Sequence, residues 1–246
     1  MSTIVTVGRH KSIELVLRRC PWTYAHLRRA DIDRHWLLAK AQNPAYFNGA
    51  VHMLTSGRDS PGRFLGELLA TDFKSFLHWR ALGHPDRSVR AVGVGAILWS
   101  ADGAILLGTA APGTVNAGRT YLFSGVLDDR DIDGSGEVDV LAGAVREVVE
   151  ETGLLPTELA RTSPWHWSIE DGVWINFVVE LTSYMPATDL AERILAHARS
   201  QADPELSDVV IIRGTGDLVR PDIFDNTRML LDRLLAHRAE AAWKSG

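Results

Sequence analysis

Between Gly136 and Leu154 the chain reads GEVDVLAGAVREVVEETGL, and no other stretch restricts its folding as tightly. At about 100° per residue, Leu141, Ala144, Val145, Val148 and Val149 share one sector of a helix, while Glu147, Glu150 and Glu151 share a sector roughly opposite. The aliphatic stripe has to be laid on an apolar surface. The three carboxylates then concentrate negative charge within one turn, as a cation site requires. Gly153 stands where a helix C-terminus favours a left-handed residue, with Leu154 folding back on the last turn, so the helix is expected to end at Thr152.

Adjacent glutamates on a helix are usually a solvated face, and Arg146 with Glu150 is in isolation an ordinary i,i+4 ion pair. The full string is more specific. Arg146-Glu147-Val148-Val149-Glu150-Glu151-Thr152-Gly153-Leu154 resembles the second half of the Nudix box, G-x5-E-x7-R-E-U-x-E-E-x-G-U with U aliphatic, at all seven specified positions. The first half departs from the pattern. Gly125, in Tyr121-Leu122-Phe123-Ser124-Gly125, stands for the opening glycine, but eleven residues rather than five separate it from Glu137, and eight rather than seven separate Glu137 from Arg146. One residue of slip turns a helical side chain by about 100°, which places Val138 in the family's glutamate register. Either a local bulge restores Glu137 or its role is lost.

The chain has 246 residues, 46% hydrophobic and 23% charged, enough for one large domain or two modest ones and without the composition of a disordered segment. Its single cysteine, Cys20, excludes an internal disulfide, and the first 30 residues hold no continuous apolar core, so no signal peptide is read and the cytoplasm is the expected compartment. The longest apolar run, residues 91–99, is too short and too glycine-rich to span a bilayer. A net charge of -5 with no basic stripe argues against a nucleic-acid partner.

In chain order, residues 3–7 and 12–17 read as β-rich runs around Gly8, and residues 31–42 as a helix capped by Asp31 and stopped before Pro44. Asn43-Pro44-Ala45-Tyr46-Phe47-Asn48-Gly49 is turn chemistry, followed by a strand at 51–55 and an exposed loop at 56–63. Residues 64–70 form a further strand, after which Thr71 or Asp72 caps a helix carrying Phe73, Phe76, Leu77 and Leu82 and ending at Gly83. Residues 84–87 then mark a boundary, giving an N-terminal α+β extension over 1–87 and a second domain over 88–246. In the second part, 91–100 and 104–109 form a hairpin, 120–123 a third strand, 165–169 and 173–181 a hairpin turning at Asp171-Gly172, 189–202 an amphipathic helix, 209–213 a buried strand and 226–242 a terminal helix.

That order and spacing resemble a Nudix core over roughly residues 89–215, and within the extension Asn-Pro-x-x-Phe-Asn-Gly resembles a motif of UDP-sugar-cleaving Nudix relatives. The resemblance implies an α/β (α+β) fold of Nudix type, an α/β/α sandwich with a mixed sheet. It also implies hydrolysis of a nucleoside diphosphate linked to another moiety, a nucleotide sugar being favoured, with Mg2+ or Mn2+. By residue, Glu147, Glu150 and Glu151 match metal-binding and base positions, and Arg146 matches the arginine that orients a box carboxylate. Ser124 is placed to offer a backbone carbonyl to the metal, and Glu205 lies where many relatives supply a late metal ligand. Which glutamate is the base varies among relatives. The extension is expected to shape the substrate pocket or a homodimer contact. A noncatalytic nucleotide-sensing module on the same fold is the alternative, supported by the misplaced Glu137 and opposed by the retention of all three helix glutamates.

Two other features have competing readings. Asp129-Arg130-Asp131-Ile132-Asp133-Gly134 begins like a calcium loop, but Val140 occupies the position that needs a bidentate glutamate. Trp165 and Trp167 alternate onto one face of a strand, where they either stack on a substrate base or sugar or belong to the core.

Overall fold

The computed structural model describes residues 5–245, with side chains through residue 238; Thr3 and Ile4 of the first expected strand lie outside the described residues. The chain begins with β1 (Val5–His10) and β2 (Ser12–Arg18), helices α1 (Thr23–Leu27) and α2 (Arg29–Gln42), the hairpin β3 (Ala50–Ser60) and β4 (Arg63–Asp72), and α3 (Phe73–Ala81). There follow β5 (Arg90–Trp99), β6 (Ile105–Ala110), β7 (Thr120–Tyr121), β8 (Phe123–Val126), α4 (Val140–Thr152), β9 (Leu159–Arg161), β10 (His166–Asp171), β11 (Trp174–Ser183), α5 (Ala187–Ser200), β12 (Leu206–Ile212) and α6 (Asp225–Ser245).

The twelve strands among the described residues belong to one mixed sheet whose main path runs β1-β10-β11-β5-β3-β4-β2. β5 and β11 are its parallel centre, in register from Ala91 with Trp174 to Trp99 with Thr182. Along the other edge of β5 three partners follow one another: β3 at Ala91 and Arg90, β8 from Gly93 to Ala96, and β6 at Leu98 and Trp99. β6 departs from β5 after those two pairs and carries β12 on its far side.

Alternation along β5 explains the layers. Val92, Val94, Ala96 and Leu98 point to the face covered by α4 and α5, where they join Ala144, Val148, Leu190 and Ile194. Ile97 and Trp99 point to the opposite face and pack with Leu230, Leu231 and Leu234 of α6. The result is the α/β/α sandwich with a mixed sheet expected from the sequence. A third cluster joins the extension to the sheet: Trp22 and Ile32 meet Phe76 and Trp79 of α3, with Met53, Ala91 and Val173 beneath.

Several local expectations are corrected. Residues 56–63 are not a loop, because β3 absorbs a register shift between Leu54 and Ser56 and runs on to Ser60, turning into β4 at Pro61-Gly62. Asp31 lies in the first turn of α2 rather than at its cap, which is Arg28. At α3 the expected cap is Asp72, whose side chain accepts a hydrogen bond from the Ser75 amide at 3.0 Å. The strand expected over 120–123 breaks at Leu122 into β7, paired with β6, and β8, paired with β5. β12 begins at Leu206 and is not buried throughout: Ser207 and Asp208 are exposed, Val209 and Ile211 half-buried, and Val210 and Ile212 buried. Among the described residues, no helix is long and apolar enough to cross a membrane.

Candidate active site

Helix α4 starts at Val140, where the Asp139 side chain accepts from the Ala142 amide at 2.9 Å, and stops at Gly153, whose φ of 69° is the left-handed conformation the sequence calls for. Its most buried line is Ala144, Glu147, Val148 and Glu151, so the acidic sector does not face solvent as a whole. Glu147 and Glu151 lie on the sheet side, 9% and 6% exposed, and Glu150 is on the exposed side. This close approach is made at Gly125 of β8. A Cβ added there would sit 2.3 Å from Glu147 Oε2, a distance no side chain tolerates.

Arg146 gathers the carboxylates. Its Nε and Nη2 donate to the two oxygens of Asp131 at 2.9 and 2.7 Å, and its Nη1 lies 2.7 Å from Glu147 Oε1 and 3.2 Å from Glu150 Oε2. Burial pulls against its charge, but Asp131 and Glu147 outweigh it and hold the guanidinium more firmly protonated than usual. Glu150 also accepts from Arg130 at 2.7 Å. Burial pushes the Glu147 carboxyl up to about 7, with the Arg146 charge opposing. Burial raises Glu151 well above the ordinary range, with the charges of Glu147 and Glu205 adding to it and the nearby Ser124 amide opposing. Glu151 Oε2 is buried without a hydrogen-bond partner.

The remaining predicted residues divide. Glu205 is exposed but close enough for its charge to act on Glu151, and Ser124 borders the same carboxylate, so both belong with the cluster. Glu137 does not. It precedes the helix, exposed, with its amide donating to Asp133 Oδ1 at 3.0 Å and its residue bridged to Val16. The position beside Arg146 belongs instead to Asp131, which is 3% exposed. Five residues separate Gly125 from Asp131, the spacing of the family's G-x5 step, so the missed signal was the count from the opening glycine; the count taken backwards from Arg146 was displaced by an insertion. The calcium-loop motif is taken apart by the same contacts: Asp129 meets His52, Asp131 meets Arg146, and Asp133 accepts from Ser135 and the Glu137 amide.

On the other side of β8 opens a cavity of about 420 Å³, bounded by Ser124 and Gly125, by Asn176 and Trp174 of β11, and by Phe76 and Arg80 of α3. Trp165 and Trp167 do not line it. Trp167 is 2% exposed in the core under α6, its indole donating to Glu180 at 3.2 Å, and Trp165 lies under the Arg9 guanidinium at 4.3 Å. The tryptophan that does reach the cavity is Trp174, which β11 turns toward α3.

Among the described residues, no three acidic, histidine or cysteine side chains already converge as a metal cage. The donors nevertheless suit a hard divalent ion. Magnesium takes one or two carboxylates and completes its shell with waters and substrate phosphates, and the unpartnered Glu151 oxygen is a buried acceptor of the right type.

The family model of the NUDIX domain matches residues 89–212, and the chain belongs to the Nudix family. No curated protein matches its sequence. Among solved structures it is similar to the Nudix hydrolase RenU from M. smegmatis, at 18% identity over 61% of this chain and 87% of that one, with a TM-score of 0.41. The NUDIX domain of Shewanella oneidensis NrtR, complexed with ADP ribose, is 18% identical over 65% and 97% of the two chains, with a TM-score of 0.39. A bifunctional NMN adenylyltransferase/ADP ribose pyrophosphatase from Francisella tularensis, complexed with AMP and an Mn ion, is 15% identical over 64% and 44%, with a TM-score of 0.37.

Proposed function

We propose that this Nudix protein hydrolyses the pyrophosphate bond of a nucleoside diphosphate linked to another moiety. One observation carries the reading: Glu147 and Glu151 are buried against Gly125 and Ser124, and the same two backbone units border a cavity of nucleotide dimensions. Glu147, Glu150 and Glu151 would hold Mg2+ or Mn2+, with Glu205 and the Ser124 carbonyl as further donors. Such an ion supplies neutralisation of phosphate oxygens and a bound water of lowered pKa. The residues of the chain do the rest. Asp131 fixes Arg146, Arg146 orients Glu147 and Glu150, and burial excludes water that would screen these charges. Residues 1–87 act as an extension that completes the cavity wall and residues 88–246 as the hydrolytic part.

Nucleotide sugars, UDP-sugars especially, are the favoured substrates. The Asn43–Gly49 segment that resembles relatives of that kind buttresses α3: Asn48 accepts from the Lys74 amide at 2.8 Å, and the Tyr46 ring lies 5.6 Å from that of Phe73. The test is the purified chain with Mg2+ or Mn2+ against nucleotide sugars, ADP-ribose, dinucleoside polyphosphates and damaged nucleotides, following release of nucleoside monophosphate. Cleavage of UDP-sugars in preference to free triphosphates is expected. Nucleotide binding with no turnover on any diphosphate would replace the enzyme with the nucleotide-sensing module.

A further inference from the structure

Helix α3 sends one cation into the cavity. Among the described residues lining that space, Arg80 is the only one with a positive charge and Asp171 the only one with a negative charge. The two do not form an ion pair; Asp171 accepts from Asn226 at 3.5 Å, and the Arg80 side chain donates to the neutral Asn116 Oδ1 at 3.2 Å. The Arg80 guanidinium stands 5.7 Å from the centre of the Trp174 ring.

Comparison with other half-buried arginines sharpens the point. Arg90 is matched to Glu170, Arg146 to Asp131, Arg193 to Glu158 and Arg228 to Asp225, whereas Arg119, over the Phe224 ring, shares the lack of an ion pair but does not line the cavity. Among the described residues no carboxylate lies within ion-pair distance of Arg80, and burial pulls its pKa down, opposed only by the Tyr46 and Tyr121 phenols. A guanidinium withdrawn from water in this way is stabilised best by an anion that arrives with a ligand, and its five donors match phosphate oxygens. Tyr121, which lines the same cavity, is close enough to feel the charges of both Glu151 and Arg80.

We propose that Arg80, from the N-terminal extension, binds a phosphate oxygen of the substrate at the α3 wall of the cavity. The inference rests on reading the cavity as the substrate site. It makes α3 a specificity element and Arg80 a substrate contact, with the neutral Asn116 holding the guanidinium in place. An ion bound at the carboxylates and the guanidinium would then address the diphosphate from two sides, which requires a ligand bearing phosphate and discriminates against a bare nucleoside.

The experiment measures binding in EDTA, so that it does not depend on turnover. Uridine, adenosine, guanosine and cytidine 5′-diphosphates and the four corresponding nucleosides are titrated by calorimetry into wild type, Arg80→Met and Arg80→Lys of the full-length chain, with thermal melts run in parallel. At least one diphosphate is expected to bind wild type, with affinity reduced roughly 10- to 100-fold in Arg80→Met and partly recovered in Arg80→Lys, while nucleoside binding stays unchanged. Diphosphate binding equal in wild type and Arg80→Met overturns the assignment, as does failure of every diphosphate to bind wild type. If Arg80→Met fails to fold, Arg80→Lys decides: a phosphate contact gives a weakened but diphosphate-selective protein, and unchanged affinity overturns the proposal. Binding that depends on Arg80 in a protein without hydrolytic turnover would retain this inference and remove the enzymatic reading.

Discussion

Arg146 and Asp131 form a two-point ion pair, 2.9 Å from Nε and 2.7 Å from Nη2, across fourteen intervening residues, seven more than the family pattern has at that point. Asp131 is buried and also accepts from the Asp128 amide at 3.1 Å, so a single carboxylate ties the loop to the helix that carries the acidic cluster. Asp131→Ala should cost about 3 kcal/mol in stability, near the lower end for breaking a buried pair because Glu147 and Glu150 still face Arg146. Glu137→Gln should cost almost nothing, as expected of an exposed side chain. Urea unfolding of both variants checks this, and equal midpoints would refute the exchange of roles.

Glu151→Gln separates charge from shape. Removing the charge of the inferred metal site should slow hydrolysis by about two to three orders of magnitude, equivalent to roughly 3 to 4 kcal/mol of transition-state stabilisation. Because Glu151 is buried with an unpartnered oxygen, the melting temperature in EDTA should hold or rise rather than fall. Glu192→Gln, on the exposed side of α5, is the control and should change neither quantity. Glu158 is unsuitable for that purpose, since it pairs with Arg193 and accepts from the Leu155 amide. Near-normal turnover in Glu151→Gln would defeat the mechanism.

Gly125→Ala tests the approach of strand and helix. The new Cβ would meet Glu147 oxygens at 2.3 and 2.4 Å, so either the carboxylate or β8 must shift. Overpacking of this kind costs about 1–3 kcal/mol. Activity should fall more than tenfold, since one misplaced ångström at a reacting centre can cost about a hundredfold. An alanine variant with wild-type kcat and melting temperature would show that the close contact is dispensable.

Acidification should act through His10. It is 4% exposed, its Nε2 is 2.9 Å from Ser168 Oγ, and burial lowers its pKa although Asp59 pulls the other way. Above about pH 6.5 the ring is neutral folded or unfolded and contributes no pH dependence. As pH falls below that value the unfolded chain takes up a proton first, and stability is lost. Glu147, raised to about 7, has the opposite sign, since its burial destabilises progressively as pH rises from about 4.5 toward 7. The quantity to measure is therefore the difference in slope of melting temperature against pH between wild type and His10→Gln over about pH 5 to 7. Wild type should lose more on acidification, and parallel slopes would show that His10 does not titrate on unfolding.

Much of the site was legible because its residues are local. The span 146–154 fixes helix, stop signal and carboxylates within a few turns, and the family string in it needs no long-range information. The misreadings have a common cause in pairing decided elsewhere in the fold. Asp131 was hidden by an insertion, Trp174 by lying at the start of a strand whose neighbour α3 comes from another region, and Arg80 by having no motif around it. The strand at 56–60 failed as a sequence reading because Ser56-Gly57-Arg58-Asp59-Ser60 has turn composition but is held by ladder bonds to β4. The sequence reads the glutamates as one sector opposite the aliphatic stripe, but Glu147 and Glu151 share the buried line of α4 with Ala144 and Val148 and only Glu150 is exposed, a division set by where the sheet packs on the helix.

The division of the β5 edge among β3, β8 and β6 makes the first eighty or so residues a splint rather than an appendage. Leu15, Leu54, Phe64 and Leu68 lie in the same apolar cluster as Val94, Val148 and Ile194, inside the stretch that carries the family signature. A chain cut to begin at residue 88 would uncover that cluster and leave the opening residues of β5 with hydrogen-bonding groups facing water or another molecule. Such a fragment should be recovered aggregated while the whole chain remains dispersed. Evolution of this cavity is then constrained from outside the Nudix motif, because any drift in α3 or β3 alters the scaffold and the lining together.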